Sequence, residues 1–312
     1  MHYNKLGKAG IRLSEISFGS WITFAKQIGF NEVKEFLHLA FDNGINFFDN
    51  AEGYAHGEAE TLMGKVIKDF RREDLVISTK IFWGGHGPND TGLSRKHLLE
   101  GTKSSLKRLQ LDYVDLLFCH RPDPDTPLDE TILAMDYLVR NGYALYWGTS
   151  EWGAKQIEAA YLLAEKLGCI KPSMEQPKYN MFSRDLIEKD YLPLFEKYGM
   201  GATTWSPLAS GILSGKYEHG IPQDSRLAKE AWLIPPNFQE QVEKTTALSK
   251  IAQELGCSMA QLGVAWCLKN PHVSSVITGA TKKAQLLDDI GAIDVKPKLT
   301  DEVMKAINKI LK

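Results

Sequence analysis

The sequence predicts an α/β protein, a (β/α)8 TIM barrel, and three observations predict it. Short apolar runs recur eight times along the 312 residues. A longer stretch with helical spacing of its apolar residues follows each run. The runs themselves are apolar on both faces, which is the pattern of strands covered on both sides. Such strands, separated by helices, form a parallel sheet, and eight in series close it into a barrel.

The elements follow in order. Residues 2–5 and 11–13, joined through Gly7-Lys8-Ala9-Gly10, read as an N-terminal β-hairpin that plugs one barrel end. Strand-like runs then fall at 15–19, 46–49, 75–80, 113–120, 144–150, 173–176, 201–206 and 274–278. The first helix carries Val33, Phe36, Leu37, Ala40 and Phe41 on one face and stops near Gly44, which suits a C-cap because it tolerates φ > 0. Ser94 is placed to N-cap a helix whose face is Leu98, Leu99, Thr102 and Leu106. A long loop after the seventh strand, 207–237, is rich in Gly and Pro; a loop of that length in a compact domain is functional or mobile. No linker, repeat or low-complexity tract interrupts 1–312, which reads as one domain.

Composition removes several function classes. With 43% hydrophobic and 24% charged residues the chain is not disordered, and 37 Lys+Arg against 39 Asp+Glu give no basic surplus for nucleic acid. No apolar run approaches the ~18–20 residues of a bilayer span, and the start lacks a signal-peptide core. Cys119, Cys169, Cys257 and Cys267 follow no metal or redox spacing and read as reduced packing residues, which places the protein in the cytoplasm. There is no HExxH, no paired metal spacing and no GxSxG, so neither a metal site nor an α/β-hydrolase is expected.

Barrel enzymes hold their chemistry at the C-terminal ends of the strands. Those positions here are Asp49, Lys80, His120, Ser150, Gln176 and Ser206, with Tyr54 five residues beyond Asp49. A free phenol, with a pKa near ~10, donates protons poorly at neutral pH. The expectation is that Lys80, kept charged by Asp49, lowers the Tyr54 pKa while His120 holds a substrate oxygen. That set protonates an alkoxide as it forms, which is half of a carbonyl reduction. The other half needs a hydride donor that no side chain supplies, hence a nicotinamide. No GxGxxG opens a helix, and Gly211-Ile212-Leu213-Ser214-Gly215-Lys216 falls short of a P-loop. Ser150 and Gln176 suit a carboxamide, Trp205 suits ring stacking, and the backbone of 206–211 suits a pyrophosphate. Gly279-Ala280-Thr281 precedes a helix whose N-terminal amides suit a phosphate.

The stretches Phe48-Asp49-Asn50-Ala51-Glu52-Gly53-Tyr54, Thr79-Lys80-Ile81-Phe82-Trp83-Gly84-Gly85, Arg121-Pro122-Asp123-Pro124, Tyr146-Trp147-Gly148-Thr149-Ser150, Trp205-Ser206-Pro207-Leu208 and Gly291-Ala292-Ile293 carry a resemblance. In them the chain resembles the aldo-keto reductases, most of all the branch holding the voltage-gated potassium channel β subunits and their bacterial and plant relatives. The resemblance implies a catalytic tetrad of Asp49, Tyr54, Lys80 and His120, with Tyr54 as proton donor. It implies a substrate pocket of Trp21, Tyr54, Trp83 and His120. For NADP(H), with NAD(H) as the alternative, it implies Ser20, Trp21, Gln27 and Asp49 among the cofactor-binding residues, with Ser150 and Gln176 holding the nicotinamide amide and Trp205 stacking on the ring. Ser206, Pro207, Leu208 and Ser210 would follow the pyrophosphate, and Lys216 and Arg226 the 2′-phosphate. Gly279, Thr281, Gln285, Asp288 and Asp289 would form the adenosine segment.

Four positions depart from that pattern. Glu151 stands where Asn or Arg is common and would accept from the carboxamide. Asp289 replaces a common Asn, and Gln285 replaces an arginine, leaving the 2′-phosphate to Lys216, Arg226 and Lys282. His120 stands where the channel β subunits carry Asn, and matches the catalytically competent members. Two functions follow as expectations. One is an NADPH-dependent reductase of small aldehydes or ketones. The other is a cofactor-occupied regulatory subunit with little turnover, weakened by His120 and by a chain start almost at the first strand. The resemblance also implies a homo-oligomer, a tetramer, and the composition gives the expectation of no nucleic acid partner and no membrane insertion.

Overall fold

Two short extended segments at the chain start fold back on each other. In the computed structural model, which describes residues 1–312, β1 (Tyr3–Lys5) pairs antiparallel with β2 (Arg12–Ser14), Asn4 lying opposite Leu13. Leu6 and Leu13 then meet Phe47, Val76, Leu116, Phe118, Met174 and Ile277 in a small buried cluster. The hairpin therefore plugs the barrel with apolar side chains, as the sequence predicts.

Eight parallel strands form the barrel: β3 (Ile16–Gly19), β4 (Phe47–Asp49), β5 (Val76–Ile81), β6 (Val114–Cys119), β7 (Ala144–Thr149), β8 (Met174–Glu175), β9 (Gly201–Thr204) and β10 (Val273–Thr278). Each pairs with the next, and β10 returns to β3 with Val276 opposite Ile16. Strands β7, β8 and β9 end one or two residues before their apolar runs do: Ser150 and Gln176 still donate their N–H groups to the Cys119 (3.0 Å) and Thr149 (2.8 Å) carbonyls of the neighbouring strands, and Ser206 turns away. Ser206 does so at φ 58°, in the left-handed region.

Helices α1 (Phe30–Asp42), α2 (Glu58–Ile67), α3 (Arg95–Leu109), α4 (Leu128–Arg140), α5 (Ala154–Lys166) and α6 (Leu192–Tyr198) cover the first six crossovers. In α1, Val33, Phe36, Leu37 and Ala40 are buried as one stripe, and Gly44 follows at φ 86°. Ser94 caps α3 by accepting the His97 N–H at 3.2 Å. A core of 67 buried side chains fills the space between helices and barrel.

The last part departs from one helix per strand. Between β9 and β10 lie α7 (Arg226–Lys229), α8 (Phe238–Leu255) and α9 (Met259–Leu268); α10 (Lys283–Val295) and α11 (Asp301–Leu311) follow β10. The surplus helices α8 and α11 pack on each other, so each buries its apolar stripe without a strand of its own. The long loop is not structureless: it holds 3₁₀ turns at Ala209–Ser214 and Ala231–Leu233 as well as α7. All four cysteines are free, and no helix is long and apolar enough to cross a membrane.

Candidate active site

The parallel ladder brings the strand ends into one plane, and their polar side chains converge there. Asp49 ends β4 and is almost fully buried. Its Oδ1 accepts from Ser78 Oγ (2.7 Å) and Gln176 Nε2 (3.0 Å), and its Oδ2 from Lys80 Nζ (2.6 Å). Lys80, one residue before the end of β5, is 0% exposed. An ammonium has three N–H donors, and all three are used: on Asp49, on the Asn50 carbonyl (2.7 Å) and on Tyr54 Oη (2.9 Å). Burial by itself would push the Lys80 ammonium down, but Asp49 and Tyr54 outweigh it and hold it above the ordinary lysine range.

Tyr54 is aimed by a strained turn. Ala55, His56 and Gly57 take φ 49°, 53° and 87° in succession. Non-glycine residues in that region cost roughly 1–2 kcal/mol each, so neighbouring contacts must fix the turn. Glu52 supplies them: its buried Oε1 accepts from the Phe82 N–H (2.7 Å) and His97 Nε2 (2.9 Å), tying the Tyr54 loop to the Trp83 loop and to α3.

The proton affinity of Tyr54 differs from the sequence expectation. Burial pushes it above the ordinary phenol value, Lys80 pulls against that, and Asp49 adds to the rise; the net direction is up. Lowering by Lys80 is present but outweighed. His120, immediately after β6, goes the other way. Burial, then Lys80 and Arg121, hold it well below the ordinary imidazole value, so the ring is neutral at pH 7. Its Nδ1 is buried with no partner in the chain. The ring lies 5.8 Å from Tyr54 and 4.9 Å from Trp83, both edge to face.

These groups open into a cleft of about 1160 Å³. Sites for small ligands run to ~300–1,000 Å³, so this one admits something longer. Asp49, Tyr54, His120, Trp83, Trp21 and Gln27 line its barrel end, followed by Ser150, Gln176 and Trp205. Ser206, Pro207, Leu208, Ser210, Lys216 and Arg226 continue along the loop, and Gly279, Thr281, Gln285, Asp288 and Asp289 close the far end. Two predicted residues do not line it. Lys80 sits behind Tyr54, and Ser20 is fully buried with its hydroxyl given to the Asp49 carbonyl at 3.1 Å.

Other expectations need correcting. Glu151 has a task within the chain as well: held at φ 58°, its Oε1 accepts from Trp205 Nε1 (2.9 Å) and the Lys178 N–H (2.5 Å), fixing the indole. At the start of α10 the N–H groups of Thr281 (3.0 Å) and Lys282 (3.1 Å) are already bound to Gln285 Oε1. Sequence reasoning also assigned no role to Arg121 and Trp232. Arg121 directly follows His120, which was the available signal. Trp232 lies 6.3 Å from Trp21 and extends a file of indoles from Trp205; nothing in its spacing marks it.

A nicotinamide dinucleotide fits these residues. Gln176 commits its amide N–H groups to Asp49 and Thr203 and keeps its oxygen for an incoming amide. Along the loop, a Cβ on Gly211 would stand 2.9 Å from Lys216 Nζ, so glycine at φ 95° makes room for the ammonium. Burial of its ammonium end, then repulsion from Arg226, lowers the Lys216 pKa. Neither cation has a carboxylate within ion-pair distance, which is the arrangement a diphosphate or 2′-phosphate completes. Asp289 is pushed up to about 8 by burial and by Asp288, so its own carboxyl adds little negative charge against that anion.

A deep cleft at the C-terminal mouth of a closed parallel barrel defines the class: a barrel protein whose ligands meet the strand ends. Within that class, the chain belongs to the aldo/keto reductase family, whose model matches residues 15–312. It is 53% identical to a probable voltage-gated potassium channel subunit beta of Arabidopsis thaliana and 52% identical to one of Oryza sativa subsp. japonica. Both comparisons cover 100% of this chain and 97% of the relative.

Proposed function

We propose that the protein is an NADP(H)-dependent oxidoreductase that reduces small aldehydes and ketones to alcohols, with Tyr54 as proton donor. The observation that carries this reading is the Lys80 ammonium, whose third N–H is spent on Tyr54 Oη. That bond occupies a lone pair of the phenol oxygen and leaves its O–H for the cleft. When bound, the reduced nicotinamide supplies a hydride to the carbonyl carbon. Tyr54 gives its proton to the oxygen, and Lys80 stabilises the phenolate left behind. A raised pKa suits this direction, because the phenol is fully protonated at neutral pH while an alkoxide is a far stronger base. Neutral His120 donates an N–H to the same oxygen.

Ser150 and Gln176 hold the carboxamide, Trp205 packs on the ring, and Lys216, Arg226 and Lys282 face the phosphates. Trp21 and Trp83 bound the substrate. Parallel tryptophan-quenching titrations with NADPH and NADH check the cofactor, with tighter NADPH expected. NADPH oxidation by a panel of aldehydes tests the activity, and no oxidation with any of them contradicts it. A cytoplasmic homo-oligomer accompanies this reading, and sedimentation measures its order.

One observation favours a second reading, a cofactor-occupied regulatory subunit of the kind the relatives' descriptions name. Lys282 Nζ on the α10 side meets Asp224 Oδ2 of the long loop at 3.5 Å, and both residues line the cleft, so the pair straps it. Cofactor release slower than minutes, together with negligible turnover, selects this reading. Faster release with turnover selects the reductase.

A further inference from the structure

The chain has five half-buried arginines: Arg72, Arg108, Arg121, Arg184 and Arg226. Three are paired with carboxylates, Arg72 with Asp115, Arg108 with Glu60 and Arg184 with Glu188. The remaining two both line the cleft. Arg226 belongs to the phosphate arm. Arg121 stands at the opposite end, its guanidinium 5.3 Å from the centre of the Trp83 ring, which His120 also meets. Its Nη1 reaches the His120 carbonyl and, at 3.4 Å, Ser150 Oγ; neither is an anion. The carboxylates that could neutralise it are committed elsewhere. Asp49 is held by Lys80, Asp123 by the Leu93 and Asp125 N–H groups and Thr126, and Glu151 by Trp205. Lys178, also on the cleft wall, adds a second positive charge. A half-buried guanidinium without a counter-ion is incompletely compensated, and its fork is shaped for a carboxylate or phosphate.

We propose that Arg121 binds an anionic group of the substrate, so that the preferred substrates are short-chain carbonyl compounds bearing a carboxylate or a phosphate. This rests on the reductase reading above. The reaction adds hydride to the carbonyl carbon and the Tyr54 proton to its oxygen, oxidises NADPH to NADP⁺, and leaves the anionic group untouched. Trp83 serves as the shared wall, its ring 5.3 Å from the Arg121 guanidinium and 4.9 Å from the His120 ring.

The test measures kcat/KM at low ionic strength for two matched pairs: 4-oxobutanoate against butanal, and glycolaldehyde phosphate against glycolaldehyde. The inference expects at least one anion to exceed its neutral partner by about 10-fold or more, chiefly through KM. The pair with the larger ratio identifies carboxylate or phosphate as the source. Potassium chloride at 0.5 M shrinks that ratio, and Arg121→Gln brings it towards one. Arg121→Lys, which keeps the charge but loses the fork, retains part of it. If Arg121→Gln does not fold, the salt dependence of the wild-type ratio still decides. Ratios near one in both pairs, with butanal turned over, overturn the inference and leave the reductase reading standing. Arg121→Gln weakening NADPH binding as much as it lowers the ratio also overturns it, by assigning the cation to the cofactor. No turnover of any of the four compounds sinks the reductase reading itself.

Discussion

The two arms of the cleft are built on opposite principles. At the strand ends every charge of the tetrad is satisfied inside the chain. Lys80, fully buried, has three acceptors, and Asp49 has three donors. Along the loop, Lys216 and Arg226 repel each other and have no carboxylate partner in ion-pair range. The difference teaches where preorganisation is placed. In the proposed reaction the groups that would move a proton are fixed before the ligand arrives, which leaves little reorganisation for that step. Groups that only hold a polyanion are left for that anion to complete.

The sharpest way to break this comparison is to remove one cation from each arm. Lys80→Met leaves Asp49 as a buried, unpaired carboxylate. Unfolding free energy should fall by about 3–5 kcal/mol, and turnover by about 10³-fold or more. Denaturant unfolding and steady-state NADPH oxidation check both. Lys216→Ala or Arg226→Ala should weaken NADPH binding by about 10–100-fold, read by tryptophan quenching, with a shallower salt dependence. Neither should destabilise the free protein, because each removes a repulsion. A loss of stability like that of Lys80→Met would show that the two arms are not different in kind.

A smaller effect sharpens the same contrast beneath the nicotinamide end. Glu175 is pushed up to about 8 by burial, with Glu151 adding to the rise. An unfolded glutamate titrates near ~4.3. Between those values the folded state binds more protons than the unfolded one, so Glu175 makes stability decline as pH rises from about 4 to about 8. Glu175→Gln should flatten that part of the stability–pH curve. An unchanged slope would mean that Glu175 is ionised in its site.

Much of this is legible in the sequence alone. The period of apolar runs fixed the barrel, and the hairpin, the Ser94 cap and Gly44 were readable from local chemistry alone. The tetrad positions were readable because strand ends point one way. What was not readable depended on competition between neighbours. Whether Lys80 or burial governs Tyr54 turns on how deep the phenol lies. Whether Glu151 faces a ligand turns on a left-handed φ that no propensity predicts. Arg121 escaped notice because an unpaired arginine is recognised only when the carboxylates around it are seen to be taken. The surplus pair α8 and α11 escaped for the same reason, since their partnership is with each other.

Single-turnover hydride transfer by Tyr54→Phe, followed from pH 6 to 10 beside the wild type with cofactor binding measured in parallel, tests the central claim most directly. The account predicts NADPH affinity within about 2-fold of wild type, transfer about 10²–10⁴-fold slower, and a wild-type rate flat through neutral pH. Falling wild-type transfer begins only as pH passes the raised phenol pKa. A variant that transfers hydride at the wild-type rate, or a wild-type profile that falls already between pH 7 and 8, would contradict it.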